Sequence, residues 1–147
     1  MSNSSCGQKV QANATDVTQK PSTPAIDPAI LTAIEGFIKG GDTRNVALLE
    51  SVMHTEFRTT VNQFMGGDGV TVLGRDLYLG MIREGKFGGI PRTFQIVDSQ
   101  SLGHTAHVQV HMESDELIFD NFINLVQDKA GKWQLLSDAA TAKPKKG

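Results

Sequence analysis

Hydrophobic and polar positions along this chain alternate between two periods. Ile30, Ile34, Phe37 and Ile38 recur at helical spacing, with Leu31 and Ala33 at the margins of the stripe, which predicts an amphipathic helix with one face to bury. Asp27-Pro28 supplies an N-cap followed by proline at the first helical position, and Gly40-Gly41 supplies the stop. A second, short helix, capped by Asp42 or Thr43, carries Val46, Leu49, Val52 and Met53. From His54 to Val61 the chain turns β-branched and alternating, with Phe57, Thr59 and Val61 on one face and Arg58, Thr60 and Asn62 on the other. A glycine-rich stretch from Phe64 to Leu73 reads as a hairpin or irregular turn. Leu77, Tyr78, Met81 and Ile82 then predict a third helix over roughly 75–84.

Beyond Arg92 the period is two. Strands are predicted over 92–100, 104–112, 117–126 and 132–137, and the second shows the pattern most clearly, with Ala106, Val108, Val110 and Met112 alternating with His107, Gln109 and His111. The helices are too short to bury their stripes alone. Helices set apart from a run of antiparallel strands give an α+β domain, with three N-terminal helices packed on one face of the sheet.

Composition narrows the class. A chain of 147 residues, 39% hydrophobic and 20% charged, fits one globular domain, placed at 25–141. Residues 1–24 carry hardly any large apolar side chains and read as a flexible tail, and 142–147 read as a basic, solvated tail. A net charge of −2 gives no concentrated basic surface for nucleic acid. The single cysteine, Cys6, excludes an intrachain disulfide and a thiolate metal cluster. No apolar run approaches the ~20 residues of a membrane span, so the expectation is no membrane partner and a cytoplasmic location. An exported form stays open, because Ser4-Ser5-Cys6-Gly7 would suit the end of a lipoprotein signal.

The glycine-rich stretch lacks the spacing and the lysine of a phosphate-binding loop. His104, His107 and His111 have a spacing that suits metal ligation on a helix. On a strand four residues span about 13 Å, too far for two imidazoles on one ion. Neither a metal nor a cofactor is expected, and His107 and His111 fall on the outer sheet face.

Several local features occur in a set order: Gly41-Asp42 after the first helix, Leu49 with His54 and Phe57, Gly74 before the third helix, Gly103 with Ala106, and Gly131-Lys132-Trp133 in the last hairpin. In this order they resemble the nuclear transport factor 2-like superfamily, over about 27–140, and within it the small lumazine-binding-like and SnoaL-like bacterial proteins. The resemblance implies a strongly bent sheet folded around the helices as a cone, an apolar pocket inside it, and a homodimer formed by the outer sheet faces. Pocket-wall candidates on that basis are Ile34, Phe37, Phe57, Tyr78 and Phe122, although core packing alone would also explain each.

Steroid-isomerase-type members of the superfamily use a helix-one tyrosine, an aspartate ending the first strand and an acid in an Asp-x-Phe strand pattern. Ile34 and Val61 or Asn62 stand at the first two positions, and only Asp120, in Asp120-Asn121-Phe122, is retained. The histidines a polyketide-cyclase type would need do not fall at matching positions. Two function classes therefore stay open: a non-catalytic binder of a small apolar or aromatic molecule, and a cyclase, isomerase or lyase acting on an apolar carbonyl ligand through Asp120 with Arg58 or His54. Asp120 is the expected inward polar group, with Arg58 and Tyr78 nearest to it. A register one residue different would put Asn121 there instead.

Overall fold

The protein is described by a computed structural model over residues 25–145. The tail expected over 1–24 lies outside the described residues. Two helices, α1 (Pro28–Asp42) and α2 (Val46–Val52), precede the first strand, β1 (Met53–Asn62). A short 3-10 turn at Phe64–Gly66 leads to β2 (Val70–Gly74), and α3 (Arg75–Arg83) follows. The third helix is thus not part of an N-terminal helical block, because the β1–β2 hairpin comes before it. The rest is a meander of β3 (Thr93–Leu102), β4 (Thr105–Glu113), β5 (Leu117–Gln127) and β6 (Trp133–Pro144). The six strands form one sheet in the order β2-β1-β6-β5-β4-β3, in which β1 lies parallel to β6 and all other neighbours are antiparallel.

The helix α1 begins as its sequence requires: the Asp27 carboxylate accepts from the Ala29 amide at 2.8 Å with proline at the first position, a cap worth about 1 kcal/mol. Ile30, Ile34, Phe37 and Ile38 are all buried, in one core with Val108, Val110, Met112, Ile123, Leu125 and Leu135 from the sheet. Gly40 and Gly41 do not stop the helix, which continues to Asp42. They serve close packing instead: a Cβ on Gly40 would lie 2.8 Å from the Leu49 side chain of α2. Asp42 and Thr43 do not cap α2 either. Arg44 turns the chain at a left-handed φ of 52°, and the Asn45 side chain accepts from the Leu48 amide at 3.1 Å.

Strand β6 reaches further than its apolar pattern suggests. Residues 142–144, assigned from sequence to a solvated tail, pair with 117–119 of β5. Along the β5–β6 ladder the partners step from Asn124–Ser137 to Leu125–Leu135, so Leu136 is an extra residue, a β-bulge.

Two alanine substitutions separate packing from propensity. Gly40→Ala should lower stability, because overpacking against buried Leu49 costs about 1–3 kcal/mol and outweighs the roughly 1 kcal/mol of added helix propensity. Gly80→Ala, in α3, meets nothing within 4 Å and should stabilise by about 0.5–1 kcal/mol. Urea unfolding of both variants checks the pair.

Candidate functional site

The bulge at Leu136 decides what faces the interior. Trp133 and Leu135 point inward, and simple alternation would carry Ser137 inward next; the extra residue reverses the phase and turns Asp138 into the core. On the neighbouring strand, two residues from Ile123, the register partner of Asp138, Asn121 of β5 lies in phase with inward Ile123 and Leu125. Thr59 of β1 lies two residues beyond Phe57 on the same face and is the register partner of Asp138. Asp138, Asn121 and Thr59 are 5%, 4% and 2% exposed, and with Ser114 in the β4–β5 turn they are the buried polar side chains among the described residues.

They answer one another. The Asn121 Nδ2 donates to Asp138 Oδ1 at 2.8 Å. The Thr59 hydroxyl donates to the Asp138 backbone carbonyl at 2.9 Å and lies 3.4 Å from Asp138 Oδ2. Burial nevertheless dominates and pushes the Asp138 carboxyl up to about 6, although both hydrogen bonds and the Arg92 guanidinium act to lower it. Asn121 Oδ1 is buried and has no partner among the described residues.

Rings pack in the same interior, and one of them, Tyr78, lies within reach of the Asp138 charge. Phe37 of α1, Phe57 of β1 and Tyr78 of α3 form a triangle with centroids 5.8–6.0 Å apart. Tyr78 also meets Phe87 at 5.2 Å, and Phe87 meets Phe64 at 6.1 Å. Burial, then the nearby Asp138 charge, holds the Tyr78 phenol far above its ordinary range, so it is un-ionised. Ile34, Phe37, Phe57 and Tyr78, four of the sequence candidates, thus share one core.

The remaining candidates do not join them. Arg58 follows inward Phe57 and is therefore exposed. Asp120 and Phe122 also face outward, because the β4–β5 register runs without interruption and places Asp120 opposite His111 and Asn121 opposite Val110. Asp120 bonds His111 at 2.8 Å; Phe122 is 48% exposed and stacks on His107 at 5.5 Å. The inward polar group of β5 is Asn121. Its signal was the alternation with Ile123 and Leu125, which the Asp-x-Phe resemblance overrode. On the outer face His111 also contacts Glu113 at 2.9 Å, and the two carboxylates, Asp120 first, raise its pKa. His104, His107 and His111 engage Gln127, Asn124 and Asp120 respectively, and among the described residues no group of three potential ligands is placed to hold a metal ion.

One wall of the interior is irregular. The segment 84–92 joins α3 to β3 and carries Phe87 over Tyr78. Polar contacts from the α1–α2 turn hold it. Gly89 N donates to Gly41 O at 2.9 Å, Arg44 Nη2 donates to Gly88 O at 3.0 Å, and Asp42 takes the Arg92 amide at 3.0 Å and its Nε at 2.6 Å. The Arg92 guanidinium also lies 5.2 Å from the Phe119 ring centre. Open depressions lie elsewhere: one of about 560 Å³ beside Leu102, His107 and Asn124, another of about 880 Å³ between α1, α2 and Trp133.

Residues 25–139 match the family described as "Putative lumazine-binding". The chain belongs to this family, and its fold is that of nuclear transport factor 2-like proteins. Among solved structures it is similar to a nuclear transport factor 2-like protein of unknown function from Shewanella baltica, at 17% identity over 80% of this chain and 93% of that one, with a TM-score of 0.68. A protein of the same description from Silicibacter pomeroyi matches at 16% identity over 78% and 93%, with a TM-score of 0.67. A ketosteroid isomerase-like protein from Erwinia carotovora atroseptica matches at 13% identity over 78% and 93%, with a TM-score of 0.64. At these identities the structures establish the fold this family member shares. No curated protein matches the sequence, and no described helix is long and apolar enough to cross a membrane.

Asp138 makes stability depend on pH in a defined direction. Between its ordinary 3.8 and about 6 the native state keeps a proton that the unfolded chain has released. This carboxyl therefore lowers stability as pH rises through that interval, by roughly 3 kcal/mol in all. Asp138→Asn removes the effect, so its stability relative to wild type should climb between about pH 4 and about pH 6 and level off above. Denaturant titrations across that range measure the difference.

Proposed function

We propose that this family member binds a small, largely apolar or aromatic molecule at the inner face of its sheet, against Phe37, Phe57 and Tyr78 and anchored by Asn121 and Asp138. The observation that carries this reading is the hydrogen-bonded Asn121–Asp138 pair, nearly fully buried on the inner side of the sheet, with the Tyr78 phenol in reach of the Asp138 charge. Convergent polar groups in an apolar surround are the usual composition of a ligand site. The family description, which names lumazine, is consistent with an aromatic ligand. A thermal-shift screen over pterins, flavins and steroids tests the reading: a ligand that raises the wild-type Tm should lose its effect on Asn121→Ala and keep it on Asp120→Ala.

A second reading, acid–base catalysis on an apolar carbonyl ligand, is favoured by one specific observation. Asp138 has a carboxyl raised to about 6, and its charge acts on the un-ionised Tyr78 phenol; a carboxyl of that pKa suits proton transfer near neutral pH. In this reading Asp138 takes the part that sequence resemblance gave to Asp120.

We also propose that two copies associate through the outer sheet face. Phe122 supports this, as a large apolar side chain left half exposed at mid-sheet beside His107. Phe122→Glu should convert a dimer into a monomer without loss of fold, as followed by sedimentation at micromolar concentration and circular dichroism. A monomeric wild type would refute the association.

A further inference from the structure

We infer that residues 87–91 form a strap that closes the inner face, with the Phe87 ring as a removable plug and Arg44 as the latch. This rests on the ligand-binding reading of that face and specifies how access to it is controlled.

The interior is filled as it stands. Phe37, Phe57, Tyr78 and Phe87 pack ring against ring, and the open depressions lie elsewhere, beside Leu102, His107 and Asn124 and between α1, α2 and Trp133. A molecule that reaches the inner face must therefore displace a ring. Phe37 and Phe57 stand on α1 and β1 and are 4% and 1% exposed, so moving either disrupts a regular element. Phe87 stands on neither a helix nor a strand. It is half-buried, whereas Lys86, Gly89, Ile90 and Pro91 around it are exposed, so its ring is the side chain that this segment sends inward.

The two ends of the strap are fixed and its middle is not. The helix α3 closes with Lys86 N donating to Met81 O at 2.9 Å, and Arg92 is held by Asp42 in a largely buried ion pair. Between these points Gly88 and Gly89 take left-handed φ values of 83° and 82°, a region that glycine enters and leaves without steric penalty. The pivot therefore adjoins the ring. The contacts that hold the strap down are polar and superficial. Exposed Arg44 donates to Gly88 O at 3.0 Å and reaches the Gly85 and Phe87 carbonyls at 3.5 Å, and Gly89 N donates to Gly41 O at 2.9 Å. Water replaces each of these bonds when the strap lifts, so local opening is far less costly than unfolding. Opening uncovers Tyr78, whose ring centre lies 5.2 Å from that of Phe87.

Tyr78 is the only tyrosine in the chain, so its nitration by tetranitromethane, followed by mass spectrometry on the full chain, reports how often Phe87 lifts away. Arg44→Ala should raise the nitration rate at least roughly tenfold, the scale of one lost charge-assisted hydrogen bond. Phe87→Ala should raise it at least as much, and the double variant should match Phe87→Ala, because the latch acts only through the plug. Arg58→Ala, at an exposed arginine of β1, should leave the rate unchanged. A wild-type rate in Arg44→Ala would overturn the latch, as would additive effects in the double variant. Hydrogen exchange separates opening from unfolding: in Arg44→Ala faster exchange should be confined to 85–92, and a rise that extends through α1 and β4 would overturn local opening. If Arg44→Ala fails to fold, the wild type decides, since its Gly89 amide should exchange at least roughly tenfold faster than the amides of β4, and equal rates would overturn the strap. None of these measurements uses a ligand. A ligand screen without a hit therefore removes the inner-face binder and leaves the strap, whereas unchanged nitration removes the strap and leaves the binder.

Discussion

A carboxyl group enclosed by apolar side chains must be hydrogen-bonded or give up its charge, and the interior of this domain is arranged around one such group, Asp138. Asn121 donates to it from β5, and Thr59 bonds its backbone from β1. These contacts tie together the strands on either side of β6. The pairing works only because the bulge at Leu136 reverses the phase of β6 after Leu135. Burial still outweighs the donors, so the group remains in part a stored electrostatic cost. Such shifted groups cluster at functional sites and also occur in structural polar networks.

Helix packing positions the rings that surround this group. Glycines at 36 and 40 let α2 approach α1 closely, since a Cβ at either would fall within 3 Å of Val52 or Leu49 atoms. The turn between the two helices is then free to act at a distance in sequence. Gly41, Asp42 and Arg44 reach across to 85–92 and fix the loop that sets Phe87 on Tyr78. One turn therefore links α1, α2 and the far end of α3 through hydrogen bonds to backbone carbonyls and amides and one largely buried ion pair. Apolar packing would have fixed the same loop less directionally.

The two sheet faces divide the chemistry. Inward positions of β4 are Ala106, Val108, Val110 and Met112; outward positions carry His107 and His111, which engage Asn124 and Asp120 across the ladder. His111 lies between two carboxylates, Asp120 and Glu113, and Glu113 reaches Lys145 at 3.3 Å beyond the end of β6. These contacts keep the imidazole protonated to higher pH than an ordinary histidine. The polar network and the exposed Phe122 ring occupy the same outer face, while the inner face keeps its polar atoms to a single cluster.

The sequence by itself determined what depends on local period. The stripe from Ile30 to Ile38, the alternation of β4 and the capping by Asp27-Pro28 were legible because each is written within a few residues. The same alternation gave Asn121 an inward face with Ile123 and Leu125. The resemblance to an Asp-x-Phe pattern pointed to Asp120 instead, and the uninterrupted β4–β5 register settled the matter for Asn121. Asp138 had no comparable signal. Its face depends on an extra residue on β6 relative to β5, and a bulge belongs to a pair of strands, not to either sequence alone. Arg92 and Asp42 are 50 residues apart, and only folding brings the α1–α2 turn against the loop before β3. Local pattern placed most of the elements and the inward stripe of α1, whereas the polar centre depended on register between strands and on contacts between distant turns, which no local pattern encodes.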